Sequence, residues 1–160
     1  MLPRTIEELN ARRDECKSMV TTRAGLSAGA AVVPVPGADI GADVTLLLEM
    51  IPTINRKFGL TPEQIDNLDP QIKKIILVAI TSIGSELIGR MVTKQLIMQV
   101  LKRVGIRLAT KSIAKFIPIL GQALAASISF GAMKMVGNSH VDDCYEVAKK
   151  AILVGNEVVA

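Results

Sequence analysis

"FGLTPEQIDNLDPQIKKIILVAI", residues 58–80, holds one helix stop and two helix starts in its opening half. Gly59 can close a helix, because glycine takes the left-handed C-cap conformation without a Cβ penalty. Thr61 is a capping hydroxyl, Pro62 fits the first turn, and Gln64 stands three residues on to complete a capping box. Asp69-Pro70 repeats the device and opens a second, strongly apolar helix. No stretch of the chain shows the sustained period-2 alternation of a half-buried strand, and Ala and Leu, the best helix formers, are abundant. These residues predict an all-α fold.

Toward the N-terminus the same grammar continues. "DIGADVTLLLEMIPTINRKF" is apolar along Val44, Leu47, Leu48 and Ile51, with Pro52 expected to kink the helix or mark its end. Before it, "VVPVPGADIGAD" (residues 32–43) interrupts an apolar run. Pro34 and Pro36 cannot donate backbone hydrogen bonds and each disfavours the α region for the residue before it, so the preceding helix must stop near Val32. Gly37 or Asp39 then starts the next helix, the aspartate accepting orphan N–H bonds and complementing the dipole. Pro34, Pro36, Gly37 and Asp39 are thus expected to form a tight helix–helix corner. Residues 5 to 22 read as the first helix, with Thr5 and Glu8 at capping-box spacing and Ile6, Leu9, Cys16, Met19 and Val20 on its apolar side. Gly25 and Gly29, four apart, suggest close packing against another helix.

Toward the C-terminus, "VTKQLIMQVLKRVGIRLATKSIAKF" reads as a helix with a joint near Gly105. Arg103, Arg107, Lys111 and Lys115 fall at successive i+4 positions, one stripe of that helix, opposite Ile106, Ile113 and Ile117. Residues 116–133, "FIPILGQALAASISFGAM", carry no charge over 18 positions, the lower edge of a membrane span. Pro118, Gly121, Gln122, Ser127 and Ser129 favour a buried central helix instead. "GNSH" at 137–140 reads as a break, with Ser139 capping a last amphipathic helix. The whole predicts a single compact domain, residues 1–160, of about six to eight helices, with the apolar segments 24–33, 44–51, 75–85 and 116–133 in the middle.

Composition narrows the function. Aromatics make up 2% of the chain against 49% apolar residues, so the core is aliphatic. The mean hydropathy of +0.39 is high for a freely soluble protein and points toward a membrane or a greasy partner. Cys16 and Cys144 form no metal or redox motif and read as reduced, buried or half-buried thiols. "MLPRTIEELNARRDE" is charged and lacks the apolar core of a secretion signal, so the expected location is cytoplasmic, at most peripheral to the inner face of a membrane.

No catalytic constellation is legible, and the expectation is a protein that is not an enzyme and needs no cofactor. His140, the single histidine, is placed beside a helix start, where a polar or solvent role is the ordinary one. "GSELIGRM" (84–91) superficially resembles a phosphate loop. It has Arg90 for the lysine and Met91 for the hydroxyl residue, and it lies in a helical pattern with no preceding strand. Asp39 and Asp43, paired at i+4, lack the further oxygen ligands of a metal site. The acid-free run from Arg90 to Lys115 has three readings: a solvated face, a surface for anionic lipid, or a nucleic-acid contact. The last is disfavoured because no aromatics interleave with the charges.

The order "VPVPGADIGADVTLLLEM", "IPTINRKFGL" and then "KFIPILGQALAASISFGAMKMVG" resembles the C-terminal helical domain of immunity-related (interferon-inducible) GTPases. It also resembles a bacterial helical domain found beside GTPase domains or in inner-membrane proteins, with EcsC-like proteins as a looser relative. The resemblance rests on Pro34, Pro36, Gly37 and Asp39, then Phe58 and Gly59, then Pro118 and Gly121, and covers roughly residues 20–155. It implies a helical module that associates with membranes or with a partner, such as a separately encoded GTPase. The phosphate loop and guanine-reading motifs of the GTPase half do not occur in these residues, so nucleotide hydrolysis is not implied.

Two functions follow as expectations. The first is a non-enzymatic module that associates peripherally with membranes. In it, Arg103, Arg107, Lys111 and Lys115 meet headgroups and an apolar hairpin at Phe116, Pro118 and Gly121 inserts. The second is a soluble protein-binding module, an adaptor or an immunity protein that neutralises a toxin or effector.

Overall fold

The computed structural model describes the backbone of residues 1–31, 38–111 and 121–159, and side chains outside 27–42, 105–129 and 156–160. Among the described residues the chain is all-helical, with no strand. Five helices and one short helical turn follow in order: α1 (Ile6–Ala31), α2 (Ala38–Phe58), the turn α3 (Pro62–Asp66), α4 (Pro70–Ile83), α5 (Lys94–Lys111) and α6 (Gly121–Val159).

The punctuation in residues 58–70 acts as its chemistry dictates. Gly59 adopts φ 75°, and its N–H bonds the Arg56 carbonyl at 3.2 Å. A Cβ there would lie 2.5 Å from the Leu2 backbone nitrogen, so glycine is required both for the turn and for the close passage of the N-terminal segment. Thr61 Oγ1 accepts from the Gln64 N–H at 3.2 Å while Gln64 Oε1 accepts from the Thr61 N–H at 3.1 Å, a complete capping box. Asp69 accepts from the Gln71 N–H at 2.9 Å and caps α4. At the start of α1 only half of the expected box forms. Thr5 Oγ1 accepts from Glu8 N–H, but the Glu8 carboxylate turns to the Arg4 N–H at 3.0 Å and to Arg12.

The long helices differ from expectation in instructive ways. α1 runs on to Ala31, beyond residue 22, and α2 begins at Ala38, so the two helices end and begin on either side of residues 32–37. Pro34, Pro36 and Gly37 themselves lie outside the described residues, as does the Asp39 side chain. Pro52 does not end α2. The helix continues to Phe58, with the Leu48 carbonyl deprived of its i+4 donor. α5 passes through Gly105 without a joint in its helical assignment. α4 stops at Ile83, where Gly84 takes φ 72° and its N–H reaches the Ile80 and Thr81 carbonyls. "GSELIGRM" is therefore a non-helical connection, not part of a helix. It buries Leu87 and Ile88, and the Gly89 N–H bonds the Leu60 carbonyl at 3.2 Å.

The largest correction concerns 137–140. α6 is continuous from Gly121 to Val159, so "GNSH" is no break. A Cβ on Gly137 would come within 2.7 and 2.8 Å of the two Val20 methyls and 3.0 Å of Met50 Cε. This glycine is present for close helix approach. Gly25, by contrast, has nothing within 4 Å of a built Cβ, so it does not supply the tight packing expected of it.

The described chain separates into two compact units. Unit 1 comprises Met1–Lys17, Ile51–Val92 and Ser139–Ala160; unit 2 comprises Ser18–Met50 and Thr93–Asn138. The core of unit 1 is built on Leu9, Ile54, Phe58, Leu60, Ile76, Ile88, Val141 and Val147, all at most 1% exposed, with Ala151 at its margin. Unit 2 buries Val20, Leu47, Met50, Ile97 and Met133. Both cores are aliphatic, as the scarcity of aromatic residues requires.

Candidate functional site

Among the described residues, two candidate sites combine polar chemistry with a defined geometry. One is internal, the other is a surface.

The internal one lies in unit 1. α2 places Asn55 in the core, and its amide donates through Nδ2 to the Leu87 carbonyl at 2.9 Å, fixing which end of the amide faces inward. Asn55 Oδ1 then faces α6, where His140 Nε2 lies at 3.0 Å and the Cys144 thiol donates to it at 3.5 Å. Since Oδ1 can only accept, Nε2 carries the imidazole proton. His140 Nδ1 is left with no hydrogen-bond partner. Burial pushes the His140 pKa down to about 3, against a weaker opposing pull from the Ile51 backbone. Burial likewise holds the Cys144 thiol well above its ordinary range, with the Asp143 charge adding to the effect.

This is a correction to the expected place of His140. It is not at a helix start or in solvent but mid-helix and 1% exposed. The signal was present in the spacing: Met133, Val136, Gly137, His140, Cys144, Val147 and Ala151 form one continuous helical stripe. Reading Gly137 as a breaker hid it.

Cys144 Sγ and His140 Nε2 are 3.6 Å apart, a separation that invites comparison with a thiol–imidazole nucleophile. The electrostatics run the other way. A reactive cysteine needs a lowered pKa beside a cationic imidazole, and here both groups are held neutral by desolvation. Cys16 is also buried and free, its thiol pushed up to about 11 by burial. Both cysteines are thus reduced and inert, and the Asn55–His140–Cys144 triad serves to tie α2, α6 and the 84–93 connection together.

No family model, curated protein or solved structure matches the chain.

The surface site is α5, in unit 2. Its described part buries Ile97 and Val104, one heptad apart, and exposes Lys94, Gln95, Met98, Gln99, Lys102 and Arg103. No acidic residue occurs in the helix. Of the predicted stripe, Arg103 is exposed, and Arg107 and Lys111 follow in unbroken helical register, their side chains outside the described residues. Lys115 lies outside them altogether, as do Phe116 and Pro118 of the expected hairpin; Gly121 is the first residue of α6. Sequence reasoning counted Lys94 and Lys102 in the acid-free run but not in the stripe, and it missed Met98, which lies between them on one exposed line of the helix.

Among the described residues no group of His, Cys, Asp and Glu is arranged to hold a metal ion, and no helix is long and apolar enough to cross a membrane. Asp43 is buried in α2. A third polar cluster, on unit 1, is structural. Arg13 donates to Asp142 Oδ1 through Nε at 2.9 Å and Nη2 at 2.7 Å, Lys17 adds an ion pair at 3.0 Å, and the Arg13 guanidinium sits 4.8 Å from the Tyr145 ring centre. Desolvation would raise the Asp142 pKa, but the bonds from Lys17 and Arg13 outweigh it and leave it lowered.

Proposed function

We propose that the protein is a non-enzymatic helical module recruited to anionic membrane surfaces through α5. The observation that supports this reading is a helix that buries Ile97 and Val104 along one line, exposes Lys94, Lys102 and Arg103 around the rest of its circumference, and contains no acid. A solvated helix of an ordinary domain usually mixes charge signs; a single-sign face creates a field that draws anions. Each cation near an anionic bilayer is worth about 1 kcal/mol, so Lys94 and Lys102 together amount to about 2 kcal/mol at low salt. Arg107 and Lys111 continue the i+4 register from Arg103 within α5. The resemblance to membrane-associated helical domains agrees with this reading.

Cosedimentation with anionic and neutral vesicles at low and high salt tests it. Binding to anionic vesicles that weakens with salt is the expected result. Replacing Arg103, Arg107, Lys111 and Lys115 by glutamate should abolish it, and unchanged binding by that variant would remove the stripe from the mechanism. Salt-resistant binding would instead point to insertion of residues 116–133.

A second reading, a protein-binding module, has one observation in its favour. Leu77 and Val78, adjacent on α4, are 47% and 61% exposed, an apolar pair in the helix's otherwise polar outer face. A lipid-indifferent protein whose capture of one specific partner is lost on changing Leu77 and Val78 to serine would establish that reading in place of the first.

A further inference from the structure

The proposal that α5 meets lipid leaves open how deep the contact goes, and the exposed face answers with a residue that charge alone does not explain. Met98 is 42% exposed although α5 has ample polar positions to cover that face. It stands one turn after Lys94 and one turn before Lys102, so the outer line of the helix reads cation, thioether, cation. Among the described residues no ion pair engages Lys94 or Lys102. A lysine without a carboxylate partner keeps its ammonium available, and its long apolar stem lets that ammonium stay at headgroup level while the helix sinks.

Resting on the reading of α5 as a lipid-facing helix, we propose that Met98 is an interfacial anchor. It enters the acyl boundary of an anionic bilayer, and Lys94 and Lys102 on either side bind lipid phosphates or carboxylates. The occupant is a bilayer surface because this exposed line of the helix joins two lysines without an ion pair among the described residues to an apolar residue, and both parts are needed. Phosphate alone would leave Met98 in water, and a purely apolar partner would strand the two lysines. Methionine suits this place: it is unbranched and polarizable, so it adapts to a fluid environment at little cost.

The chain contains no tryptophan, so Met98→Trp places a single indole at the proposed anchor point. Because Met98 is not part of the core, the fold should tolerate the change, which circular dichroism checks. The probe is vesicles of phosphatidylcholine alone and of phosphatidylcholine with phosphatidylserine, some carrying brominated acyl chains. Bound protein whose indole emission shifts to the blue and is quenched by the bromines is the expected outcome. In a second variant, Met98→Ser, affinity for anionic vesicles should fall roughly tenfold, the value of burying the exposed two-fifths of a methionine side chain. Lys94→Gln and Lys102→Gln should each weaken binding about fivefold. Protein that cosediments with anionic vesicles while its indole stays unshifted and unquenched would overturn the anchor and leave surface recruitment standing. No cosedimentation with either vesicle would overturn both.

Discussion

The internal triad makes a quantitative prediction about acid. His140 is the chain's single histidine, fully buried and neutral, with its pKa lowered from 6.5 to about 3. Below pH 6.5 the unfolded chain takes up a proton that the folded chain refuses, so stability falls as pH falls, continuing until the folded pKa is reached. With those two values the loss is negligible at pH 7.5, about 2 kcal/mol at pH 5 and about 3 kcal/mol at pH 4. For a domain of ordinary stability that is a large fraction of the total. The groups around the imidazole do not blur this window. Asn55 is uncharged, Cys144 stays protonated, and the carboxylates nearest along α6, Asp142 and Asp143, shift in opposite directions. The assay is urea unfolding at a series of pH values, comparing the wild type with His140→Gln. Glutamine keeps an N–H donor toward Asn55 Oδ1 but cannot titrate. Wild type should lose about 2 kcal/mol between pH 7.5 and 5 while the variant stays nearly flat. Equal slopes for the two proteins, or an imidazole that titrates near 6.5 by NMR in the folded state, would refute the reasoning.

Two further predictions test the framework. Asn55→Ala removes the partner of His140 Nε2, the Leu87 carbonyl and the Cys144 thiol at once, and should cost about 3 kcal/mol in urea unfolding; a loss under about 1 kcal/mol would mean the triad does not tie its elements together. Gly137→Ala drives a methyl into the stiff Val20 side chain and should destabilise by about 1–3 kcal/mol, whereas Gly25→Ala, in open space on α1, should stabilise by about 0.5–1 kcal/mol; melting temperatures that move the same way for both would show that the two glycines are not distinguished by packing.

The sequence carried the local structure well where one residue's covalent chemistry decides it. Gly59, Thr61, Pro62, Gln64 and Asp69 act within a turn of themselves, and each was legible without knowing the fold. The errors came where the same residue types answer to a distant neighbour. Gly137 and Gly25 look alike in the sequence, yet one lies against Val20 and Met50 and the other faces solvent; only the tertiary approach separates them. Misreading Gly137 split α6 in two and moved His140 from the core to an imagined helix start. Pro52 shows the converse: tertiary packing of Ile51, Ile54 and Phe58 sustains a helix through a residue that would end it in isolation. For the surface site, the i+4 cationic stripe was visible, but Met98 was not. Exposure of a methionine beside Ile97 depends on which side of α5 is covered, a fact no local pattern contains.

The placement of Tyr145 has a consequence for observing the molecule. It is the chain's one tyrosine, there is no tryptophan, and its ring lies under Arg13 with its hydroxyl donating to Asn10 at 2.8 Å. All three residues belong to unit 1, and unit 2 holds neither tyrosine nor tryptophan. Absorbance at the tyrosine band and tyrosine emission therefore watch one unit and are blind to the other. With Met98→Trp, the second unit acquires a chromophore of its own at a longer wavelength. One sample heated once then reveals whether the two units melt together or in turn.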